Sequence, residues 1–122
     1  MSQPLVFVVD DQSVIAETLA HLLRLNAYTA IAFTNPLSAL SAAGDLKPDL
    51  LLSDFQMPEM NGIDLANQLL LKCPGCKVLM ISGAIVQAEQ HPLAGRFELL
   101  EKPLPAPYLL AKIKTTLNQT TV

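Results

Sequence analysis

The stretch "VFVVDDQS", residues 6–13, places two adjacent aspartates directly after four apolar residues. A short continuous apolar run is typical of a strand that is buried on both faces of a parallel sheet. Asp10 and Asp11 therefore put two like charges at the point where a buried strand ends. Two unit charges roughly 4 Å apart repel by about 4 kcal/mol at an effective dielectric constant of about 20, so the pattern predicts a compensating positive charge nearby.

The composition predicts one soluble domain without a basic surface. A chain of 122 residues fits a single domain, and a formal net charge of -3 gives no basic footprint for nucleic acid or an anionic membrane. Only 16% of the residues are charged and 51% are hydrophobic, which indicates a partner-binding face. The N-terminal "MSQPLVFVV" has no basic start and too short an apolar run for a signal peptide or a membrane span, so we expect a cytoplasmic setting.

Strand and helix patterns alternate along the chain. Continuous apolar runs predict three buried strands, at residues 5–9, 50–53 and 78–82, and weaker patterns predict two more, at residues 28–33 and 97–101. Five strands alternating with helices imply right-handed crossovers and a parallel sheet covered by helices on both faces. Between the last two strands, Pro92 and Gly95 leave room for only a short fourth helix.

The predicted helix boundaries depend on capping residues. Ser13 is predicted as the N-cap of the first helix. Asn35 is predicted as the N-cap of the second, followed by Pro36 at the first helical position, with Gly44 as the stop. Gly62 is expected to give the chain the conformational freedom to reverse before the third helix.

The carboxyl ends of the predicted strands carry the chemistry. Parallel sheets of this kind bind ligands there, at the switch point of strand order. Asp10 and Asp11 follow the first strand, Asp54 follows the third, Ser82 ends the fourth and Lys102 follows the fifth. A lone aspartate after a strand is usually a turn residue or a helix cap, but turn chemistry does not explain a Lys-Pro directly after an apolar strand. If the first and third strands are neighbours, three carboxylates share one crevice, and Lys102 together with Mg²⁺ would balance their charge.

The sequence contains four motifs, in this order and at these separations: "VVDDQS", "LLLSDFQMPEMNG", "MISGA" and "LLEKPL". Through these motifs it resembles the response regulator receiver domain of two-component signalling. The resemblance covers nearly the whole chain. It implies one receiver domain over residues 1–122, an α/β fold with a single doubly wound five-stranded parallel sheet, the flavodoxin-like order 2-1-3-4-5 and helices on both faces. It also implies a phosphoacceptor switch and not a metabolic enzyme, phosphorylated by a sensor histidine kinase or a phosphotransfer protein.

The resemblance implies a role for each acidic residue of the crevice. Asp54 would be the phosphoryl acceptor and, with Asp11, a direct ligand of Mg²⁺. The backbone carbonyl of Gln56 would be the third protein ligand, and Asp10 would act through a metal-bound water. These roles agree with the oxygen ligands and retained waters that Mg²⁺ prefers.

The resemblance also places the groups that would contact the phosphoryl group. Lys102 would pair with Asp54 and then with a phosphoryl oxygen, while Ser82 would donate a hydrogen bond to another. A cis peptide bond between Lys102 and Pro103 is predicted, because similar domains use it to aim the lysine into the site. Leu99 stands where such domains carry an aromatic switch residue, so the readout through an aromatic ring is expected to differ here.

The resemblance places the output surface on the fourth helix, fifth strand and last helix. This surface is the candidate for binding a downstream output protein or a fused output domain, and for a homodimer. The five strand-helix units are expected to account for the whole chain. The output function is therefore expected to lie in another polypeptide, in a dimer or in a further portion of a longer protein. No direct binding of nucleic acid is expected from this chain.

Two other classes of function stay open at this point. The first is a receiver-like protein-interaction module that is never phosphorylated. This class stays open because Leu99 replaces the aromatic switch residue. The second is a phosphatase with an aspartyl-phosphate intermediate, which is disfavoured because Phe55 and Gln56 follow Asp54 in place of the common Asp-x-Asp arrangement.

The pair Cys73 and Cys76 follows a predicted helix, where carbonyl groups disfavour a thiolate. The pair is therefore expected to lie in a chemically inert loop.

Overall fold

Strands and helices alternate along the chain as the apolar pattern predicts. The computed structural model describes residues 3–119, so the ends of the domain predicted over residues 1–122 lie outside the described residues. The strands are β1 (Leu5–Val9), β2 (Thr29–Phe33), β3 (Leu50–Asp54), β4 (Lys77–Ser82) and β5 (Glu98–Glu101). The helices are α1 (Ser13–Arg24), α2 (Pro36–Leu46), α3 (Gly62–Lys72), α4 (Ile85–Glu89) and α5 (Ala106–Leu117). Within residues 3–119, no helix combines the length and the apolar character needed to cross a bilayer.

The five strands form one parallel sheet in the order β2-β1-β3-β4-β5, which confirms the predicted fold class. The register brings the carboxyl ends of the three central strands level with one another. Val9 of β1 lies opposite Ser53 of β3, and Asp54 lies opposite Ile81 of β4. The residues that directly follow these strands are therefore placed at one edge of the sheet.

The continuous apolar runs supply two hydrophobic cores at once, because successive side chains of a strand point to opposite faces. Phe7 and Leu51 belong to the core under α2 and α3. Val8 and Leu52 belong to the core under α1 and α5. All four side chains are at most 1% exposed, which is why these strands show no polar alternation.

One of the two predicted helix starts is confirmed. Asn35 caps α2, where its side chain accepts a hydrogen bond from the N–H of Leu37 at 2.8 Å. The prediction of Ser13 as an N-cap is wrong, since Ser13 is the first residue of α1 and Gln12 is the N-cap. The carbonyl of Gln12 accepts the first helical hydrogen bond, from the N–H of Ala16 at 3.1 Å.

The predicted end of the second helix is also wrong. Helix α2 continues through Gly44 to Leu46, and Lys47 adopts the left-handed conformation with φ of 50°. The N–H of Lys47 donates to the carbonyl of Ala43 at 3.0 Å and closes the helix. The left-handed cap that glycine usually supplies thus falls on a lysine three positions later.

The connection between β4 and β5 is short, as Pro92 and Gly95 predict. It contains only α4, five residues long, and a single 3₁₀ turn over Ala94–Arg96. Ala88 and Ala94 are its two buried residues. This connection therefore buries less apolar surface against the sheet than each of the longer helices does.

Candidate functional site at the carboxyl edge of the sheet

Three carboxylates meet at the carboxyl edge of the sheet, as the sequence predicts. One oxygen from each of Asp10, Asp11 and Asp54 lies within 4.8 Å of the other two. Asp10 is buried, Asp54 is partly buried and Asp11 is exposed. This arrangement follows from the strand order, because β1 and β3 are neighbours and both end at the same edge.

Asp10 is fixed by two partners. Its Oδ1 accepts a hydrogen bond from the N–H of Gln12 at 2.9 Å, and its Oδ2 lies 3.4 Å from the Nζ of Lys102. A buried carboxylate needs such partners, since burial of an unpaired charge is strongly unfavourable. Asp10 therefore also shapes the turn that leads into α1.

Lys102 is the positive charge that the opening motif requires. Its Nζ lies 3.0 Å from Oδ1 of Asp54, closer than to Asp10. Its backbone N–H donates to the carbonyl of Ser82 at 2.9 Å, which extends the pairing of β4 and β5 up to the site. The peptide bond between Lys102 and Pro103 is cis, as predicted.

Burial and charge oppose each other at this site. Burial raises the pKa of Asp54 above its usual value, and the charges of Asp10 and Asp11 act in the same direction. The hydrogen bond and charge of Lys102 lower the pKa of Asp54 but do not cancel the effect of burial. For Lys102, burial alone would lower the pKa, but Asp54 and Asp10 raise it overall, so the side chain stays protonated and positively charged. Three carboxylates facing one ammonium group leave an excess of negative charge, which suits a divalent cation with oxygen ligands.

The side chains of Ser82 and Gln56 both form hydrogen bonds to the α4 region. Ser82 is buried, and its Oγ accepts a hydrogen bond from the N–H of Ala84 at 2.9 Å, just before α4 begins. The exposed side chain of Gln56 donates from Nε2 to Oε1 of Gln87 in α4. Sequence reasoning missed Gln87, because a glutamine in a short polar segment gives no pattern that would single it out.

Gly62 lies directly behind Asp54, and its role differs from the prediction. Its φ is not positive, so it does not act through unusual backbone freedom. A Cβ atom at this position would lie 2.3 Å from the backbone oxygen of Asp54 and 2.5 Å from Sδ of Met80. Only glycine allows α3 to begin this close to the end of β3.

The two cysteines lie away from this edge and have the properties of buried, unreactive thiols. Both are free, and Sγ of Cys73 donates to the carbonyl of Pro48 at 3.4 Å. Burial raises the pKa of Cys76 from 9.0 to about 12, so its reactive thiolate form is suppressed. This agrees with the interpretation of the pair as an inert loop.

A doubly wound sheet of this order, with three carboxylates and a lysine at its carboxyl edge, defines a receiver-type signalling domain. The family model of the response regulator receiver domain matches residues 6–114. The chain belongs to this family.

Similar proteins agree with this assignment. The chain is 29% identical over 119 residues to the probable transcriptional regulatory protein TcrX of Mycobacterium tuberculosis and 32% identical over 123 residues to the DNA-binding transcriptional regulator NtrC of Escherichia coli. These matches cover 96% and 97% of this chain but only 51% and 26% of the two relatives, so the chain spans about half of the one and a quarter of the other. Among solved structures, the CheY-like receiver domain protein of Methanospirillum hungatei matches with a TM-score of 0.86 and 25% identity, over 96% of this chain and 95% of that one.

Proposed function

We propose that this receiver domain is a phosphoacceptor switch in which Asp54 takes a phosphoryl group from the phosphohistidine of a sensor histidine kinase or a phosphotransfer protein. The observation that carries the proposal is the ammonium group of Lys102, 3.0 Å from Asp54, in a crevice shared with Asp10 and Asp11. A purely structural ion pair would need one carboxylate here, whereas a phosphoryl-transfer site needs charges in excess of that pair.

The donor set of the crevice fits Mg²⁺. Asp11 and Asp54 would bind the ion directly together with the backbone carbonyl of Gln56, and Asp10, which is buried and already paired, would act through a water. When bound, Mg²⁺ neutralises the charge of the transferring group and aligns it for displacement. Lys102 alone leaves the excess negative charge described above, so the chain's own cation does not replace this function.

The transfer asks for alignment and neutralisation and for little other chemistry. A carboxylate oxygen of Asp54 attacks the phosphorus, the O–P bond forms as the N–P bond of the donor breaks, and the leaving ring nitrogen keeps the electron pair. Lys102 stabilises the negative charge on the phosphoryl oxygens. The oxygen of Ser82 accepts a hydrogen bond from Ala84, so its own O–H remains available to donate to a phosphoryl oxygen. The acyl phosphate formed is labile, which suits a signal that must be reset.

The surface beside Lys102 suits the phosphodonor. An apolar cleft of about 240 Å³ next to this lysine is lined by side chains of α1, the loop after β5 and α5, among them Ile15, Leu104 and Leu109. Val14, on the same helix as Ile15, is 76% exposed. A donor protein that packs an apolar helix face here would bring its phosphohistidine to the edge of the crevice, which is why we propose the donor as the occupant.

We place the output surface on α4, β5 and α5, where an output protein, a fused output domain or a second copy of the chain would bind. Val86 of α4 is 65% exposed and Tyr108 of α5 is 48% exposed, and an ion pair between Glu98 and Lys112 joins β5 to α5. The absence of direct nucleic-acid binding by this domain and its cytoplasmic setting stay predictions. We propose that the domain is a switch and not a turnover enzyme.

One experiment distinguishes this proposal from its rivals. The protein is incubated with Mg²⁺ and acetyl phosphate, and its intact mass is measured over time. We expect the gain of one phosphoryl group, its loss in Asp54→Asn and its retention in Asp45→Asn, a control at an exposed aspartate of α2. No gain would support an interaction module that is not phosphorylated, and sustained turnover of unrelated phosphoesters would support a phosphatase.

A further inference from the structure

The segment that links β4 to β5 is held in place largely by polar side chains. Of its residues 85–96, only Ala88 and Ala94 are buried, and both are small. Helix α4 is also too short to be stable through its own backbone hydrogen bonds. Side-chain hydrogen bonds to neighbouring elements therefore have more influence on the position of α4 than they would on a long amphipathic helix.

The C-terminal part of this segment is attached to α3. Nε2 of His91 lies 2.8 Å from Oδ1 of Asp64, and the N–H of Leu93 donates to Nδ1 of the same ring at 3.0 Å. Nη1 of Arg96 donates to Oδ1 of Asn67 at 2.8 Å. Because α3 is a regular helix with a buried apolar face, these bonds fix one end of the segment to a rigid support.

The N-terminal part of the segment is attached to the acidic site. The Oγ of Ser82 accepts the N–H of Ala84 immediately before α4, and the side chain of Gln56 donates to Gln87 within α4. Ser82 is the last residue of β4, and Gln56 is the second residue after Asp54, which ends the neighbouring strand β3. Helix α4 thus has two hydrogen-bonded connections to the edge where Asp54 lies.

The backbone directly before Gln56 is held by two hydrogen bonds of Phe55. The backbone before it is fixed because the N–H of Phe55 donates to the carbonyl of Ile81 at 2.8 Å. The loop is closed on the other side, where the N–H of Gly62 donates to the carbonyl of Phe55 at 2.8 Å. The peptide group between Phe55 and Gln56 is therefore fixed, and the hydrogen bond from the Gln56 side chain to Gln87 acts on the next peptide group, which carries the Gln56 carbonyl.

We infer that Gln87 is a positioning residue of the acidic site, which couples the position of α4 to cation occupancy through its hydrogen bond with Gln56. The inference rests on the proposed function, in which the Gln56 carbonyl is a ligand of Mg²⁺. A cation that favours one orientation of this carbonyl also favours the side-chain orientation that reaches Gln87. By thermodynamic reciprocity, breaking the bond on α4 must then weaken cation binding at Asp54.

The test is a titration of the full chain with Mg²⁺ alone. Binding is monitored through the NMR signals of the backbone amides at Asp54 and in α4. Gln87→Met keeps the length of the side chain and removes the acceptor. Gln90→Met is the matched control, because its side chain is exposed and makes no hydrogen bond to any residue within 3–119. Gln56→Met and the double variant with Gln87→Met complete a double-mutant cycle, and all of them keep the backbone carbonyl.

In the wild type, we expect the amides of Ala88 and Gln90 to shift with the same midpoint as that of Asp54. Gln87→Met should weaken Mg²⁺ binding about threefold to tenfold, the range expected for one hydrogen bond, and should suppress the shifts in α4. Gln90→Met should bind as the wild type does. In the Gln56→Met background, the change at Gln87 should have no further effect, which a merely structural role would not produce.

The outcomes separate this inference from the proposed function. A saturable Mg²⁺ response at Asp54 with unchanged affinity in Gln87→Met would overturn the inference alone. Effects of the two glutamine variants that simply add would do the same. A wild type that shows no saturable response at Asp54 would overturn the proposed cation site, and the inference with it.

Discussion

Asp11→Asn should make the metal-free protein more stable, by about 1 kcal/mol. Its carboxylate lies within 4.8 Å of Asp10 and Asp54, and at that separation each pair repels by about 0.9 kcal/mol in a medium with the dielectric constant of water. The aqueous value applies because Asp11 is exposed. The two repulsions together amount to about 1.8 kcal/mol, and screening by salt reduces this to about 1 kcal/mol. Asparagine keeps the shape and polarity of the side chain.

Urea denaturation of both proteins, in EDTA and in millimolar Mg²⁺, measures this difference. The wild type should gain stability with Mg²⁺, by about 2.7 kcal/mol at a hundred times the dissociation constant, because the ion binds only the folded state. The variant should gain much less, since a directly coordinating oxygen has lost its charge.

Asp10→Asn is the matched control, because Asp10 is buried and paired with both Gln12 and Lys102. Asp10→Asn should not be stabilised in EDTA, since the partly buried ammonium group of Lys102 loses one of its two carboxylate partners. If Asp11→Asn were less stable than the wild type in EDTA, or gained as much from Mg²⁺, the electrostatic reasoning would be refuted.

Three further predictions concern stability. Gly62→Ala should destabilise the fold by roughly 1–3 kcal/mol or more in urea denaturation, because its Cβ would collide with the backbone of Asp54, while Gly44→Ala, at an open position of α2, should stabilise it by about 0.5–1 kcal/mol. Asn35→Ala should cost about 1 kcal/mol in the same assay through the lost N-cap, and no change would contradict the role of the side chain. The pKa of Cys76 is raised from 9.0 to about 12, so the folded state keeps a proton that the unfolded chain releases and stability falls as pH rises through this window. Between pH 9 and 12, the free energy of unfolding of Cys76→Ala should therefore fall less steeply with pH than that of the wild type, by up to about 1.4 kcal/mol per pH unit. Equal slopes for the two proteins would exclude the raised pKa.

The sheet and most of the site were predictable because their causes are local in the sequence. Continuous apolar runs fix strands buried on both faces, and the rule for the carboxyl ends of parallel strands then brings Asp10, Asp11 and Asp54 together. A Lys-Pro pair after β5 was unusual enough to mark Lys102. These signals need no knowledge of side-chain packing.

What the sequence failed to predict depends on contacts made only in the folded chain. Ser13 is a good N-cap in isolation, but the bond from the Gln12 N–H to Asp10 fixes the turn so that Gln12 is the N-cap and α1 begins one residue earlier than a cap at Ser13 implies. The need for Gly62 is visible as a glycine in a turn, whereas its reason is the approach to Asp54. The bond to Gln87 depends on where a five-residue helix comes to lie, which no periodicity encodes.

The weak apolar anchoring of the segment between β4 and β5 has a consequence for how the protein opens. Unfolding of residues 85–96 alone exposes little apolar surface, since Ala88 and Ala94 are the buried side chains that it contributes. The sheet beneath, from β1 to β4, retains its large buried residues during such an event. Local opening of this segment therefore requires far less free energy than global unfolding, and a protease at low concentration should cut here first, leaving the two fragments associated. Within residues 3–119, the segment that contains the helix of the proposed output surface is then also the segment most easily cleaved.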